Sequence, residues 1–216
     1  MKHLPSILPA AIAMILIAAP QLFAAGITIS LTQASATTSS TGNSFEVDLT
    51  NMSSSSITVG GFSFELSIAN PNISLTGVTT STAAAYVFSG DSTFGPDLTT
   101  FSNGQLIDAS DIDSIVLAGT TIDPGATFGL GRVFFDVSSS ALPGVTTVNL
   151  SPFPETTLSD AAGNDLPIGT LSPGQITILG STVPEPSSLL LISLGAAALL
   201  GRRSRYFRRA PVRTVH

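Results

Sequence analysis

The stretch Phe62-Ser63-Phe64-Glu65-Leu66-Ser67-Ile68 decides the fold class of this chain. Apolar and polar side chains alternate along it without a break, so that an extended backbone places the apolar side chains on one face and the polar ones on the other. The segments Ile27 to Leu31 and Phe45 to Leu49 alternate in the same way. These patterns predict β-strands that are buried on one side only.

Further strand-like segments follow on both sides of this stretch, separated by turn residues. They are Ile73 to Val78, Ala85 to Phe88, Gln105 to Asp108, Ser114 to Leu117, Ala126 to Val137, Thr146 to Leu150 and Gln175 to Leu179. Gly, Pro, Asn and Asp fill the gaps, as in Asp123-Pro124-Gly125, and residues of these types favour tight turns. With no convincing helix between residues 26 and 180, the pattern predicts an all-β domain, a sandwich of about nine strands.

Charge is distributed very unevenly along the 216 residues. Thirteen of the fourteen acidic residues lie between Gly26 and Gly180, where Arg132 is the single basic residue, so this segment has a formal charge of −12. An acidic surface of this kind repels phosphate backbones. We therefore expect no nucleic-acid partner.

The residue types that this middle segment lacks exclude most catalytic chemistries. The chain has no cysteine, and its two histidines are His3 and His216, near the ends. No lysine lies between Gly26 and Gly180. A Ser-His-Asp triad, a histidine-ligated zinc site, a Schiff base and a disulfide are therefore impossible there. Carboxylate chemistry is left, but no feature marks a pair of acids for it. We expect a protein that is not an enzyme.

The N-terminus has the organisation of an export signal. Met1-Lys2-His3 is positively charged, the run from Leu4 to Ala19 is apolar, and the segment that follows ends in two small residues, Ala24 and Ala25. This order predicts a secretory signal peptide over residues 1–25, folded as a helix. An uncleaved membrane anchor is the alternative interpretation.

The C-terminus combines three parts in a fixed order. Val183, Pro184, Glu185 and Pro186 form a short motif, residues 187–201 form an apolar run, and an arginine-rich segment spans 202–209. The run predicts a short transmembrane helix, with the arginines on the cytoplasmic side by the positive-inside rule. The cytoplasmic anchor residues are Arg202, Arg203, Arg205, Arg208 and Arg209.

Residues 181–209 resemble the PEP-CTERM sorting signal of bacterial exported proteins, and residues 210–216 form a final tail. The resemblance implies an exosortase-type processing enzyme as a partner and insertion in the inner membrane before processing. It also implies a host that makes extracellular polysaccharide and a final location at the cell surface, outer membrane or extracellular matrix. A plain membrane anchor is the alternative.

The middle segment, residues 26–180, resembles a cohesin-like domain. The resemblance rests on the order of three phrases: Gly42 to Asn51, Gly61 to Ile68 and Gly131 to Val137, with an Asp160 to Asp165 turn before the last strand. It implies a jelly-roll β-sandwich. Relatives of this kind bind dockerins or polysaccharides, so the resemblance implies a binding module.

Two oxygen-rich clusters are candidate calcium sites. Their members are Asp108, Asp111 and Asp113 in one D-x-x-D-x-D pattern, and Asp160, Asn164 and Asp165 in one predicted turn. Calcium takes oxygen ligands from loops. Because neither cluster follows the EF-hand spacing, ordinary solvated turns are the alternative, and we otherwise expect no cofactor.

These observations favour a structural or interaction role at the cell surface or in the matrix, with a polysaccharide-binding module as the alternative. Sugar binding by stacking needs exposed aromatic side chains, and the chain has no tryptophan. Phe88, Phe94 and Phe101 lie in the least regular stretch. They form either an exposed apolar patch or a loop packed back onto the sandwich.

Overall fold

The computed structural model describes residues 26–93, 95–115, 118–180 and 192–194. The predicted signal peptide, the motif at 183–186 and the arginine segment lie outside these residues. Of the predicted helix over 187–201, only residues 192–194 are described, and they are helical. Within the described part of the chain, no helix is long and apolar enough to span a bilayer.

The described chain consists almost entirely of β-strands. The strands are β1 (Ile27–Leu31), β2 (Ala34–Thr37), β3 (Asn43–Asn51), β4 (Ile57–Val59), β5 (Gly61–Ile68), β6 (Ile73–Thr79), β7 (Asp97–Phe101), β8 (Leu106–Ile112), β9 (Thr120–Ile122), β10 (Thr127–Val137), β11 (Gly144–Leu150), β12 (Thr157–Ser159), β13 (Ile168–Ser172) and β14 (Gly174–Leu179). A single 3-10 turn, Ser102–Gly104, joins β7 to β8. The all-β prediction is confirmed, and the alternating segment Phe62 to Ile68 is β5.

Two sheets pack against each other as a sandwich. The first has the order β13-β1-β3-β10-β6, and the second has the order β2-β14-β11-β5-β8-β7, with β12 paired to β5. Most pairs are antiparallel, but β1 pairs β13 and β2 pairs β14 in parallel. A separate ribbon joins β4 to β9. This architecture is a jelly-roll type of closure, in which sheet neighbours are distant in sequence.

Alternation along each strand builds a single core between the sheets. Phe45, Val47 and Leu49 of β3 point inward from the first sheet, and Phe64 and Leu66 of β5 point inward from the second, all buried. They belong to one hydrophobic cluster that extends through the described domain. Apolar area removed from water in this way is the main stabilising term of a domain without disulfides.

One of the predicted strands is wrong, and a second does not begin as predicted. Ala85 to Phe88 forms a turn that is hydrogen-bonded to the start of β10. Val87 N donates to Gly129 O, and Gly129 N donates to Ala85 O. Tyr86, Val87 and Phe88 are all buried, so the segment does not alternate. The segment from Ser114 begins with a bend instead, because the Asp113 carboxylate accepts a hydrogen bond from Ile115 N. Val116 and Leu117 lie outside the described residues.

Candidate functional site

The outer face of the second sheet carries a shallow acidic depression on β5, β8 and β7. The strand register places Glu65 opposite Asp108, and Asp108 opposite Thr99. The next row holds Ser63, Ser110 and Asp97. The depression has a volume of about 210 Å³, and Glu155, from the loop before β12, lines it as well. Four carboxylates, those of Glu65, Asp97, Asp108 and Glu155, therefore share one open surface, which we call the acidic face.

The carboxylates of the acidic face repel one another. Partial burial raises the pKa of Asp108, and the negative charge of Glu65, a hydrogen bond to Glu65 and the charge of Glu155 raise it further. Ser151 Oγ donates a hydrogen bond to Glu65 Oε1. No basic residue occurs on β5, β7 or β8. A ligand that brings positive charge or hydroxyl donors therefore relieves repulsion that the free protein carries.

The three aspartates of the D-x-x-D-x-D pattern are not brought together. Asp108 points outward from β8, whereas Asp111 points into the core and is 3% exposed. Tyr86 donates a hydrogen bond from its hydroxyl to Asp111 Oδ2 at 2.6 Å, and Ser92 Oγ donates to the same oxygen at 2.5 Å. Asp113 lies beyond the end of the strand. Because an odd spacing along a strand puts two side chains on opposite faces, Asp108 and Asp111 cannot share an ion.

The second predicted calcium cluster is a turn held by its own hydrogen bonds. Asp160 Oδ1 accepts hydrogen bonds from Ala162 N and Asn164 N, each at 2.8 Å, and Oδ2 accepts one from Asn164 Nδ2 at 3.0 Å. The hydrogen bond from the Asn164 side chain is the main cause that lowers the pKa of Asp160. Asp165 is exposed. Among the described residues no group of three or more acidic or histidine side chains is placed to hold a metal, and calcium binding stays a prediction.

A further pair of acidic residues lies on the first sheet, and the sequence analysis did not single it out. Glu46 and Asp48 both point outward from β3, as alternation predicts, but Glu46 is only 9% exposed. Burial raises the pKa of Asp48, and the charge of Glu46 raises it further. One carboxylate oxygen of each residue is buried without a hydrogen-bond partner. Nothing in the alternation distinguishes these positions from solvated ones, because the burial comes from neighbouring strands.

The aromatic residues divide between the core and the surface. Phe88 packs back onto the sandwich, 1% exposed, with its ring stacked on Phe62 at a centroid distance of 5.8 Å. Phe101, on the outward side of β7, is 47% exposed, and Phe153, in the loop before Glu155, is 71% exposed. Phe94 lies outside the described residues. Each of these two exposed rings is two residues along the chain from a residue that lines the acidic face, Thr99 or Glu155, and sequence patterns alone did not single out Phe153.

With the fold and this face established, solved structures identify the class of the domain as a cohesin-like β-sandwich. CaCohA2 from Clostridium acetobutylicum is 17% identical, with a TM-score of 0.54, covering 74% of this chain and 95% of the other. The sixth cohesin of Acetivibrio cellulolyticus scaffoldin B, solved with a dockerin, is 13% identical, with a TM-score of 0.54 and coverages of 71% and 99%. A non-cellulosomal cohesin from the archaeon Archaeoglobus fulgidus is 18% identical, with a TM-score of 0.51 and coverages of 73% and 94%. At these identities the likeness shows the fold.

The sequence after the domain matches a sorting signal. Residues 182–205 match the PEP-CTERM protein-sorting motif. None of the curated proteins compared matches the chain significantly. The chain is thus an exported protein, sorted through a PEP-CTERM signal to the cell envelope or surface, with a cohesin-like β-sandwich.

Proposed function

We propose that this protein is an exosortase-processed surface protein whose β-sandwich is a binding module, and that the acidic face is its binding site. The cohesin structures that resemble it include complexes with dockerins. By analogy we propose a protein module as the partner, with lysine or arginine side chains at the contact. The role proposed is binding, not catalysis.

The observation that carries this proposal is the open acidic face. Glu65 and Asp108 lie directly opposite each other on neighbouring strands. A partner that inserts cationic side chains gains charge-assisted hydrogen bonds from both. The same arrangement argues against glycoside hydrolysis, because the two acids lie side by side on a shallow surface and do not face each other across a sugar.

A matched pair of variants tests the proposal. The face variant E65Q/D97N/D108N removes three charges from the site, whereas the control D91N/D123N/D165N removes three from exposed positions elsewhere. The two variants therefore have the same net charge as each other. Binding of purified dockerin-type modules from the native host is measured by isothermal titration. We expect about a tenfold loss of affinity for the face variant alone, and a wild-type affinity that falls with added salt. Equal affinities for the two variants would refute the proposed site.

Polysaccharide binding is the second candidate, and the exposed rings of Phe101 and Phe153 favour it. Exposed aromatic side chains with nearby carboxylates offer stacking and hydrogen bonds to sugar hydroxyls. Affinity electrophoresis in gels that contain the matrix polysaccharide of the native host distinguishes the two candidates. Retardation that is lost in F101A/F153A and kept in a control with Leu142→Ala would establish sugar as the ligand.

A further inference from the structure

Three exposed apolar side chains lie at the end of the sandwich where the chain leaves its last strand. Leu142 is 79% exposed, Val145 is 62% exposed and Leu179 is 49% exposed. Val145 lies opposite Thr177, two residues before Leu179 on the same outward side of β14. A Cβ added at Gly180 would lie 3.3 Å from Pro143 Cγ, so the turn that holds Leu142 touches the chain where it leaves the domain. We call Leu142, Val145 and Leu179 the exit patch.

The exit patch is electrically neutral in a strongly acidic domain. The segments that surround it, 34–40, 138–145 and 174–180, contain no acidic or basic residue. The patch is also remote from the acidic face, since Ser151 N donates to Glu65 O and Ser151, just after β11, is six positions along the chain from Val145. At about 3.3 Å per residue, that separation is about 20 Å along the sheet. The two surfaces can therefore bind different partners.

The sorting signal begins almost at the exit patch. The PEP-CTERM match starts at residue 182, two residues after Gly180. From Gly180 to Val183 even a fully extended chain spans at most about 11 Å. An enzyme that holds residues 183–186 in its active site must therefore approach within this distance of Gly180. Leu179 of the patch directly precedes Gly180, and Leu142 lies next to Pro143, which an added Cβ at Gly180 would contact.

We propose that the exit patch is a docking surface for the enzyme that processes the PEP-CTERM signal. This inference rests on the proposed function, in which that enzyme acts on residues 183–186. A protein surface fits the patch better than lipid does. Membrane-bound surfaces carry lysine, arginine or interfacial aromatic residues, and the three segments have none of these. An apolar centre with a polar rim of serine and threonine is typical of a protein interface.

The test compares processing rates of full-length precursors in native cells. The patch variant L142S/V145T/L179T is compared with I112S/I115S, which removes two side chains that are each 51% exposed at the opposite end of the sandwich. Pulse-chase labelling measures conversion of precursor to the mature form. We expect the patch variant to be processed about fivefold more slowly, as truncation of interface anchors predicts, and the control at the wild-type rate. Leu142→Ser alone, at the most exposed position, should slow processing less but in the same direction.

The outcomes of this test distinguish docking at the exit patch from the proposed function on which it rests. Wild-type processing of the patch variant would overturn the inference alone, whereas a wild-type chain that is never cleaved near residues 183–186 would overturn the proposed function. Accumulated precursor must resist added protease as wild-type precursor does, which excludes misfolding. Normal cleavage of the patch variant by solubilised membranes would overturn the proposal if either of two further changes accompanied it. Weaker binding of the variant to phosphatidylethanolamine vesicles would assign the patch to lipid. Loss of a dimer would assign it to a second copy of the chain.

Discussion

Arg132 donates a hydrogen bond from Nε to Glu46 Oε1 at 2.6 Å, directly across the β3–β10 register, and this contact is the salt bridge of the described domain. Glu46 is almost buried, and Asp48 lies two residues away on the same side of β3. The guanidinium of Arg132 thus compensates the charge of Glu46, whereas one carboxylate oxygen of Asp48 is buried without a hydrogen-bond partner. Because Arg132 is the single basic residue between Gly26 and Gly180, no other side chain of the domain can replace it.

Removal of Arg132 should destabilise the domain. In Arg132→Ala, Glu46 becomes a nearly buried charge without its cation, and loss of one partner of a buried pair costs a few kcal/mol. We expect about 2 kcal/mol less free energy of unfolding for the mature protein in urea, reduced from the range for fully buried pairs because Arg132 is partly exposed. Glu46→Gln in the same background should recover much of the loss. A change within about 0.5 kcal/mol for Arg132→Ala would show that solvent already screens Glu46.

Stability at neutral pH should rise when Asp48 loses its charge. The pKa of Asp48 is raised by burial and by Glu46. A raised carboxyl pKa favours folding below the unfolded pKa of 3.8, and this contribution is lost as the pH rises through the folded pKa. Asp48→Asn should therefore be more stable than wild type at pH 7 by roughly 0.5 to 1 kcal/mol, the size of a relieved like-charge contact.

Unfolding curves at a series of pH values measure this effect. The advantage of Asp48→Asn should shrink as the pH falls toward 3.8, because wild-type Asp48 then takes up its proton in both states. Asp165→Asn, which removes one carboxylate at an exposed turn position, is the matched control. An advantage that stays constant with pH would mean that the gain does not come from the charge of Asp48.

The hydroxyl of Tyr86 should contribute strongly to stability. It donates to Asp111 Oδ2 at 2.6 Å, and Asp111 is 3% exposed. Hydrogen bonds to charged groups contribute about 1.5 to 3 kcal/mol, and we expect a loss of this size in the free energy of unfolding of Tyr86→Phe. Ser92→Ala removes the second donor to the same oxygen, so the two losses should not be additive in the double variant. Additive losses would show that the two hydroxyls act independently.

Titration of the same side chain gives a spectroscopic check. Burial raises the pKa of Tyr86, and so do the hydrogen bond to Asp111 and the charge of Asp111. The chain has two tyrosines, and Tyr206 lies beyond residues 183–186, so the processed protein retains Tyr86 alone. Its ultraviolet absorbance should show no phenolate signal near the ordinary pKa of about 10 while the fold persists. A signal at that pH would contradict the buried hydrogen bond.

The fold was largely predictable, and the candidate site only in part, for one physical reason. Alternation reports which face of a strand is apolar, so it identified β5 and the fold class. It does not report which strands become neighbours. Glu65 and Asp108 are 43 positions apart and meet only through the β5–β8 register. Short polar strands such as β2 and β13 have little contrast between faces, so the pattern missed them.

Calcium binding, which the sequence predicted as a candidate property, can be tested at the Asp160 turn. Asp160 already accepts three hydrogen bonds from Ala162 and Asn164, and a cation there must displace these donors. We therefore expect thermal unfolding of the mature protein to be the same in millimolar calcium and in EDTA. Asp160→Ala should lower the midpoint equally in both conditions, because it removes the acceptor of the turn and not a metal ligand. A midpoint that calcium raises in wild type but not in Asp160→Ala would instead establish the turn as an ion site.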